Sequence, residues 1–250
     1  MPKLSVTIIT INEEHNLEDA LQSVAWADEI VIVDSGSTDQ TREIARRFTD
    51  HVLVREWPGY SAQKNFAAGQ ARHDWILSLD ADERVTNELA ADIKRVMSGD
   101  PDARGYRMPR VSQYLGTWLR STDWYPDYQL RLYDRRHGRW NGRPVHESVA
   151  VDGPVGMLRH ELQHLPYRDI SHHLQTIDRY TTLAAQAMFA EGRRTGVLGL
   201  LFHPLAAFLR NSVLRRGLLD GSTGLTVSAL NSYYVFLKLA KLRELQGRHG

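Results

Sequence analysis

Short apolar runs alternate with amphipathic segments along the first part of the chain. Apolar and β-branched residues fill 4–11, 29–33 and 52–54, and a further run begins at Trp75. Such runs are typical of strands buried in a parallel sheet. The segments between them place apolar residues on one helical face. This alternation predicts an α/β fold with a Rossmann-like, mostly parallel sheet and helices on both of its faces.

Acidic residues follow three of the predicted strands. They are Glu13, Asp34 and the pair Asp80 and Asp82. The carboxyl ends of parallel strands share one edge of the sheet, where ligands bind in open α/β folds, so we expect these acids to converge. Two carboxylates one residue apart can share a hard divalent cation with phosphate oxygens. The alternative is a solvated acidic turn, with Glu83 in the first turn of the next helix.

Length and composition limit the class of protein. The chain has 250 residues, of which 42% are hydrophobic and 24% charged, enough for one large domain or a medium domain with an appendage. It contains no cysteine, which excludes disulfides and thiolate sites and fits a reducing compartment. Met1 leads almost directly into the first strand without a signal-peptide pattern. We therefore expect a cytoplasmic protein.

Charge is distributed unevenly along the chain. The formal net charge is +1, but nine Lys or Arg residues lie from Gly192 onward against only Asp220 and Glu244. A basic carboxyl-terminal part of this kind favours contact with phosphates, in nucleic acid or in lipid headgroups. A solvated helix face is the alternative interpretation.

Three short segments carry a more specific pattern: residues 8–14 (IITINEE), 32–39 (IVDSGSTD) and 79–82 (LDAD). In order and spacing they resemble the signatures of family 2 inverting glycosyltransferases with the GT-A fold. The resemblance implies that Thr10, Glu13 and Asp34 contact the base and ribose of a nucleotide-sugar. It also implies that Asp80 lies near the ribose and the metal, and that Asp82 binds the divalent cation, Mg²⁺ or Mn²⁺, that bridges the diphosphate.

Other segments extend the likeness. Lys64, in Gln63-Lys64-Asn65, matches a basic position of the family and could reach a donor phosphate, although a solvated helix lysine is the alternative. Residues 124–132 (WYPDYQLRL) resemble the segment that in this family follows the catalytic carboxylate and packs under the acceptor site. Residues 142–147 (GRPVHE) resemble a second family element, which ends the GT-A part.

An inverting transfer needs one general base to take the proton of the acceptor hydroxyl. Asp127 is the first candidate for that base, Glu147 the second and Asp123 the third. His146 is a candidate for the metal shell, or for orienting a neighbouring group.

Aromatic residues and arginines are interleaved between residues 105 and 149. Rings can stack on nucleic-acid bases, but they also suit the apolar faces of sugars, while arginines bind phosphate. A core edge built from large residues is the structural alternative. Because the donor-site motifs favour a sugar, we expect no nucleic-acid partner.

A rival motif occurs at residues 160–164, where HELQH matches the H-E-x-x-H pattern of zinc peptidases. That motif works only on a helix, which presents both imidazoles to one zinc ion. Pro166 follows closely and glycines precede, so a chance match is favoured. His164 remains a candidate for facing the donor diphosphate.

The carboxyl-terminal part of the chain predicts helices, the first of them capped by Ser171. Residues 196–209 are apolar apart from His203, but fourteen residues with Pro204 inside are too short for a membrane span. Arginines follow at positions 210, 215 and 216. Three interpretations of these helices are open: they form the core of a second subdomain, they form a dimer contact, or they form a surface that lies at a membrane interface. We favour the membrane interface.

Taken together, the residues and the resemblance predict a GT-A catalytic domain over residues 1–165 and a helical region over residues 166–250. The tail resembles that of transferases that decorate the lipopolysaccharide inner core, such as glucosyltransferases acting on heptose. We expect a metal-dependent inverting hexosyltransferase with UDP-glucose as the favoured donor and a lipid-linked saccharide as acceptor, peripheral on the inner membrane. The alternatives are a zinc metallopeptidase and a noncatalytic nucleotide- or sugar-binding module.

Overall fold

The computed structural model describes residues 1–142 and 147–248, and the chain divides into two compact units. The first unit consists of Met1–Arg110 and Asp127–His164. The second consists of Val111–Pro126 and Leu165–Gly250. Residues 111–126, which the sequence analysis placed in the catalytic domain, thus cluster with the second unit.

Four parallel strands form one half of the sheet in the first unit. They are β1 (Leu4–Thr10), β2 (Glu29–Asp34), β3 (Val52–Val54) and β4 (Trp75–Asp80). Their order is β3-β2-β1-β4, and all seven residues of β1 are buried. Four helices connect or follow these strands: α1 (Leu17–Ser23), α2 (Thr41–Arg46), α3 (Tyr60–Gln70) and α4 (Asn87–Met97). The predicted α/β architecture is confirmed.

The other half of the sheet is largely antiparallel, so the sheet is mixed rather than mostly parallel. The strands after β4 are β5 (Glu83–Val85), β6 (Gly105–Tyr114), β7 (Thr117–Leu119), β8 (Asp127–Asp134), β9 (Gly138–Trp140), β10 (Val149–Val151), β11 (Val155–Met157) and β12 (Leu162–His164). Of these, β9 and β10 form a separate antiparallel sheet of two strands. After β4 the order continues β8-β6-β12-β5, with β8 antiparallel to both β4 and β6. These strands interrupt their apolar positions with charged residues such as Arg110 and Arg131, so no continuous apolar run marked them in the sequence.

The main core of the first unit lies between the sheet and α1, α2 and α4. Its buried side chains include Val6, Ile8, Leu21, Leu77, Leu89, Ile93, Met108 and Leu132. Burial of these apolar surfaces is what stabilises the sheet, at roughly 25 cal/mol per Å². A rigid sheet of this kind fixes the positions of the loops that leave its strand ends.

The second unit is mainly helical, as predicted. Its long helices are α5 (Ile170–Ala190), α6 (Val197–Leu209) and α7 (Gly221–Arg248). The predicted cap residue of α5, Ser171, is wrong. The helix begins after Asp169, whose carboxylate accepts a hydrogen bond from the backbone N–H of His172 at 2.7 Å. Ser171 therefore lies inside the first turn.

The apolar helical segment that starts with α6 is longer than the sequence analysis predicted. Helical structure continues from α6 through a π-helical turn at Arg210–Leu214. Val197–Leu214 therefore forms 18 residues that are long and apolar enough to cross a membrane by length and composition, with 17% of the segment buried. The prediction that this segment is too short for a span was wrong, because the pattern was taken to end at Leu209.

Candidate active site

The carboxyl ends of β1, β2 and β4 lie side by side at one edge of the sheet. In the strand register Thr10 stands opposite Asp34, and Ile9 stands opposite Asp80. Glu13 follows β1 in the next loop. Burial raises the pKa of Glu13, and the negative charges of Asp82, Asp39 and Asp80 add to that rise while Asn16 opposes it. Glu13 thus lies within electrostatic reach of the acids that follow β2 and β4.

The loops after β1 and β2 are joined by side chain to backbone hydrogen bonds. The backbone N–H of Asn12 donates to Ser37 Oγ at 2.8 Å, and Thr38 N donates to Asn12 Oδ1 at 2.8 Å. The Glu13 N–H donates to Thr41 Oγ1 at 2.8 Å. Asn12 has a left-handed backbone (φ 54°), a conformation that asparagine tolerates better than most residues. These bonds hold both loops in one arrangement around the strand ends.

Asp34 organises the turn that follows its own strand. Its side chain is fully buried and accepts from Thr10 Oγ1 at 3.1 Å, from the N–H groups of Gly36 and Ser37 at 3.1 and 2.9 Å, and from Ser37 Oγ. A buried carboxylate needs such donors. Contact of Thr10 and Asp34 with a nucleotide stays a prediction, because their polar atoms are used inside the chain.

Asp82 lies next to an imidazole. His164 Nε2, at the end of β12, is 3.4 Å from Asp82 Oδ2, and both side chains are partly exposed. Backbone pairing of His164 with Glu83 sets this position, because β12 runs antiparallel to β5. Oxygen and nitrogen donors on one rim suit a divalent cation that takes its other ligands from phosphates and water.

The described residues 1–142 and 147–248 contain no group of three or more His, Cys, Asp or Glu side chains placed to hold a metal alone. Asp82 and His164 would supply one carboxylate and one imidazole, and nucleotide-bound Mg²⁺ sites commonly use one or two protein carboxylates beside phosphates and water. The residues present therefore fit a cation that is held jointly with a diphosphate. His146, the third predicted metal residue, lies outside the described residues.

Asp80 forms ion pairs with two positively charged side chains. Lys64 Nζ lies 2.8 Å from Asp80 Oδ1, and Arg131 donates to Asp80 Oδ2 at 2.5 Å. Burial alone would raise the pKa of Asp80, but the charges of Arg131 and Lys64 outweigh it and hold that pKa below its ordinary value. Because both of its oxygens are occupied, the role of Asp80 near the ribose and metal stays a prediction.

Lys64 is a buried residue, and the alternative of a solvated helix lysine is wrong. Only 3% of its side chain is exposed, and its ammonium lies 4.2 Å from the centroid of the Trp140 ring. It is also 3.8 Å from Glu147 Oε1. Contact with a donor phosphate would have to compete with the Asp80 ion pair.

A chain of alternating charges links Asp80 to Asp127. Arg131 bonds Asp80 and also Glu83 Oε1 at 2.6 Å. Arg110 bonds the same Glu83 oxygen at 2.8 Å and reaches Asp127 Oδ2 through Nη2 at 2.6 Å and Nε at 2.9 Å. Each charge is thereby neutralised by neighbours of the opposite sign. Glu83 is fully buried here, which corrects the interpretation of it as a solvated acid of a helical turn.

The first-choice base, Asp127, is held firmly at the start of β8. Besides Arg110, Gln129 Nε2 donates to Asp127 Oδ1 at 2.7 Å. Its side chain is still about one-third exposed, at 35%. Asp127 therefore combines a fixed orientation with access to a substrate.

The other two candidate bases have different surroundings. Glu147 lies beside Lys64 in the first unit, with a partly exposed side chain. Asp123 belongs to the second unit, where Arg210, Asn211 and Arg215 surround its carboxylate. Three donors on one carboxylate indicate that Asp123 holds helical segments together.

The HELQH segment is not helical. Residues 162–164 form strand β12, so the two histidines are not presented on consecutive turns. His160 Nδ1 bonds Asp92 Oδ2 at 2.8 Å, whereas His164 faces Asp82. The zinc peptidase interpretation has no support, because the helix that its chemistry requires is missing at that place.

Three residues of this site were not singled out in the sequence: Arg110, Arg131 and Trp140. A fourth, Glu83, was named only as an acid of a solvated helical turn. The sequence around Arg131 does contain a signal, because this arginine stands between Leu130 and Leu132. In the structure it lies in a strand and is almost fully buried. A charged residue inside an apolar strand needs an acidic partner. Which acid it meets depends on strand pairing, which the sequence pattern did not provide.

The fold and the clustered acids define an α/β protein with a candidate active site at one edge of its sheet, and comparison with known proteins gives its family. Residues 5–159 match the model of Glycosyl transferase family 2. The chain is 31% identical over 255 residues to the lipopolysaccharide core biosynthesis glycosyltransferase LpsC of Rhizobium meliloti (strain 1021), covering 97% of this chain and 93% of that protein. An uncharacterized glycosyltransferase of Rickettsia typhi is 30% identical over 258 residues, covering 98% of this chain and 88% of that protein.

Among solved structures, the mannosyltransferase PcManGT from Pyrobaculum calidifontis has a similar fold. The TM-score is 0.55 at 17% identity, over 96% of this chain and 87% of that one. The protein therefore belongs to glycosyl transferase family 2, is a glycosyltransferase related to lipopolysaccharide core enzymes, and has the predicted GT-A fold.

Proposed function

We propose that the protein is a metal-dependent inverting hexosyltransferase that moves a sugar from a nucleotide diphosphate donor to a lipid-linked saccharide. UDP-glucose is the favoured donor. The observation that carries this proposal is the gathering of Asp82, His164 and Asp80 at one edge of the sheet, where a series of ion pairs connects Asp80 to Asp127. The name of the relative LpsC, a lipopolysaccharide core biosynthesis glycosyltransferase, supports a saccharide acceptor.

The donor class is supported by the chemistry of this edge. Asp82 and His164 would hold a divalent cation between the protein and the diphosphate. When bound, the cation supplies a Lewis acid that stabilises the charge developing on the departing diphosphate. The structurally similar PcManGT was solved in complex with GDP-Man and Mn²⁺, in line with this class of donor.

The chain's own residues would perform the transfer at the acceptor. Asp127 takes the proton of the acceptor hydroxyl while that oxygen forms a bond to the anomeric carbon. The bond between the anomeric carbon and the diphosphate oxygen breaks, and the nucleoside diphosphate leaves on the opposite face, which inverts the configuration. Arg110 and Gln129 keep the carboxylate of Asp127 in a fixed orientation during this step.

The site of action follows from the proposed acceptor. A lipid-linked saccharide lies at a membrane surface, so we place the enzyme peripherally on the cytoplasmic face of the inner membrane. A soluble acceptor would remove the reason for this localisation.

The proposal is tested by incubating the purified protein with a panel of nucleotide-sugars and a membrane glycolipid extract, with and without Mn²⁺. We expect a glycolipid whose mass increases by one hexose and an equal amount of nucleoside diphosphate, both only with the cation. Glycolipid extended without the cation would contradict metal dependence, and donor binding without any product would indicate a noncatalytic binding module.

The base is assigned with Asp127→Asn and two comparison variants. Loss of a general base lowers kcat by about 10²–10⁴-fold, so Asp127→Asn should lose turnover but still bind the donor with the cation. Glu147→Gln and Asp123→Asn should retain turnover within a few-fold. If Glu147→Gln loses turnover and Asp127→Asn retains it, the base assignment moves to Glu147.

A further inference from the structure

Helix α6 has two apolar faces, and only one of them is covered. On the covered face Pro204 is buried, its carbonyl accepts from Ser232 Oγ of α7 at 2.8 Å, and Leu200 packs with Leu239 and Leu242. Five large side chains on the other face are exposed, between 49% and 69%: Leu198, Leu201, Phe202, Leu205 and Leu209. Their spacing of three and four residues places them along one side of the helix.

The exposed apolar surface continues past the end of α6. Val213 and Leu214 in the π-helical turn and Leu218 and Leu219 in the next short helix are each more than half exposed. Monomeric soluble proteins rarely leave so many neighbouring large apolar side chains in water, because each costs hydrophobic free energy. We call residues 197–219 the apolar surface.

The charge around the apolar surface has one sign. Residues 192–219 contain five arginines and no aspartate or glutamate, and all five arginines are exposed. Asp123 pairs with Arg210 and lies 3.5 Å from Arg215, so it offsets part of their charge. The other three arginines, Arg193, Arg194 and Arg216, add positive charge beside the apolar surface. Exposed leucines beside arginines match the two layers of an anionic lipid surface, where acyl chains lie beneath phosphate groups.

We propose that the apolar surface inserts into the headgroup boundary of an anionic lipid membrane while the arginines at 193, 194 and 216 bind lipid phosphates. The segment lies in the plane of the membrane and does not cross it. Asn211 and Ser212 are buried within the same helical run, and Asn211 bonds Asp123 and Asn231. Crossing the bilayer would break these contacts and expose the polar groups to hydrocarbon.

This inference does not depend on which sugar is transferred, and its test uses neither donor nor acceptor. The full chain is mixed with vesicles of phosphatidylglycerol and phosphatidylcholine, or of phosphatidylcholine alone, and bound protein is measured by sedimentation. We expect binding to the anionic vesicles that weakens as ionic strength rises, because salt screens the arginines. Absence of binding to anionic vesicles at low salt would overturn the proposal.

Two matched sets of variants test the surface itself. Leu201→Ser should weaken the vesicle partition coefficient by about fivefold or more, since less apolar area inserts. Val54→Ser, an equally exposed residue of β3 in the first unit, should leave it unchanged. Removing arginine charge with Arg194→Gln and Arg216→Gln should weaken partition by about fivefold for each. Arg47→Gln, which removes an exposed arginine of the first unit, should leave partition unchanged.

Each variant is compared with the wild type by circular dichroism and thermal unfolding, so that loss of binding is separated from loss of fold. Equal partition of Leu201→Ser and Val54→Ser would overturn the proposal. A second outcome would also overturn it: the wild type does not bind vesicles and sediments as a dimer, and Leu201→Ser dissociates that dimer. A second copy of the chain would then cover the apolar surface. Retention of the protein in cell membranes after alkaline carbonate extraction would instead indicate a membrane-spanning helix and contradict the interfacial placement.

Discussion

Asp80 stands between two cations, the Lys64 ammonium at 2.8 Å and the Arg131 guanidinium at 2.5 Å. Both cations are almost fully buried, and Asp80 is the carboxylate that they share, although Arg131 also pairs with Glu83. Removing one partner of a buried ion pair is far more costly than removing the pair, because the remaining charge stays desolvated. The stability of this edge of the sheet therefore depends on a residue that also lies in the candidate site.

Asp80→Asn should lower the free energy of unfolding at pH 7 by about 3 kcal/mol, because it leaves Lys64 and Arg131 without their shared counter-charge. The measurement is urea unfolding followed by tryptophan fluorescence. Asp74→Asn is the matched control, because Asp74 pairs with Arg135 and Arg136 at the exposed surface. It should cost less than about 1 kcal/mol. Equal losses in the two variants would contradict the proposed burial effect.

The lowered pKa of Asp80 predicts that the stability of the protein depends on pH. The pKa of Asp80 is lowered from its ordinary 3.8, so the stabilisation it provides is fully present above that pH and is lost as the pH falls below it. The difference in unfolding free energy between wild type and Asp80→Asn should therefore be constant from pH 7 to about 5 and should shrink on further acidification. A difference that stays constant down to pH 3 would contradict the lowered pKa.

At the scale of single residues, the sequence located the donor-side acids but not their partners. Asp80 and Asp82 stood out because they end an apolar run. Arg110, Glu83 and Arg131 did not, since a charged residue in a half-buried strand resembles a solvent-facing one until the neighbouring strand is known. Strand pairing is a long-range property, and single-sequence patterns carry little information about it.

Among the elements, the parallel strands were predictable and the antiparallel ones were not. Val52–Val54 was predicted with its observed bounds, and the predicted starts of β1, β2 and β4 are those observed. Continuous apolar runs mark strands that are covered on both faces. In contrast, β5 is only three residues long and carries Glu83, whose acid was taken as part of a helical turn. Short strands with one polar face leave no periodic signal of sufficient length.

The start of α5 gives a test at the scale of an element. Asp169 caps this helix by accepting from the His172 N–H at 2.7 Å, whereas Ser171 lies in the first turn. Asp169→Ala should destabilise the second unit by about 1 kcal/mol, and Ser171→Ala should have a much smaller effect. Thermal unfolding monitored by far-ultraviolet circular dichroism measures both. A larger loss for Ser171→Ala would restore the serine cap that the sequence suggested.

Across the whole molecule, negative charge is concentrated before residue 192 and positive charge after it. The overall net charge is +1, and the excess of nine basic over two acidic residues from Gly192 onward leaves the preceding part at minus six. The proposed anionic donor would therefore meet a predominantly acidic part of the chain, including Glu13, Asp39 and Asp82. Like charges disfavour the complex unless a cation stands between them. Donor and cation should consequently bind together rather than independently.

This coupling predicts how ligands stabilise the chain. UDP with Mn²⁺ should raise the thermal midpoint, because a ligand at 100 times its dissociation constant stabilises the native state by about 2.7 kcal/mol. UDP with a chelator should raise it little. Asp82→Asn and His164→Ala should each abolish the cation-dependent part, since each removes one of the two proposed protein ligands.

His160→Ala is the matched control for that experiment. His160 belongs to the same HELQH segment but bonds Asp92, away from Asp82, so its removal should leave the Mn²⁺-dependent stabilisation by UDP intact. A zinc site built on the H-E-x-x-H pattern would instead need both histidines. Equal loss in His160→Ala and His164→Ala would therefore contradict the cation site at Asp82, whereas loss in His164→Ala alone would tie the cation to the edge where β1, β2 and β4 end.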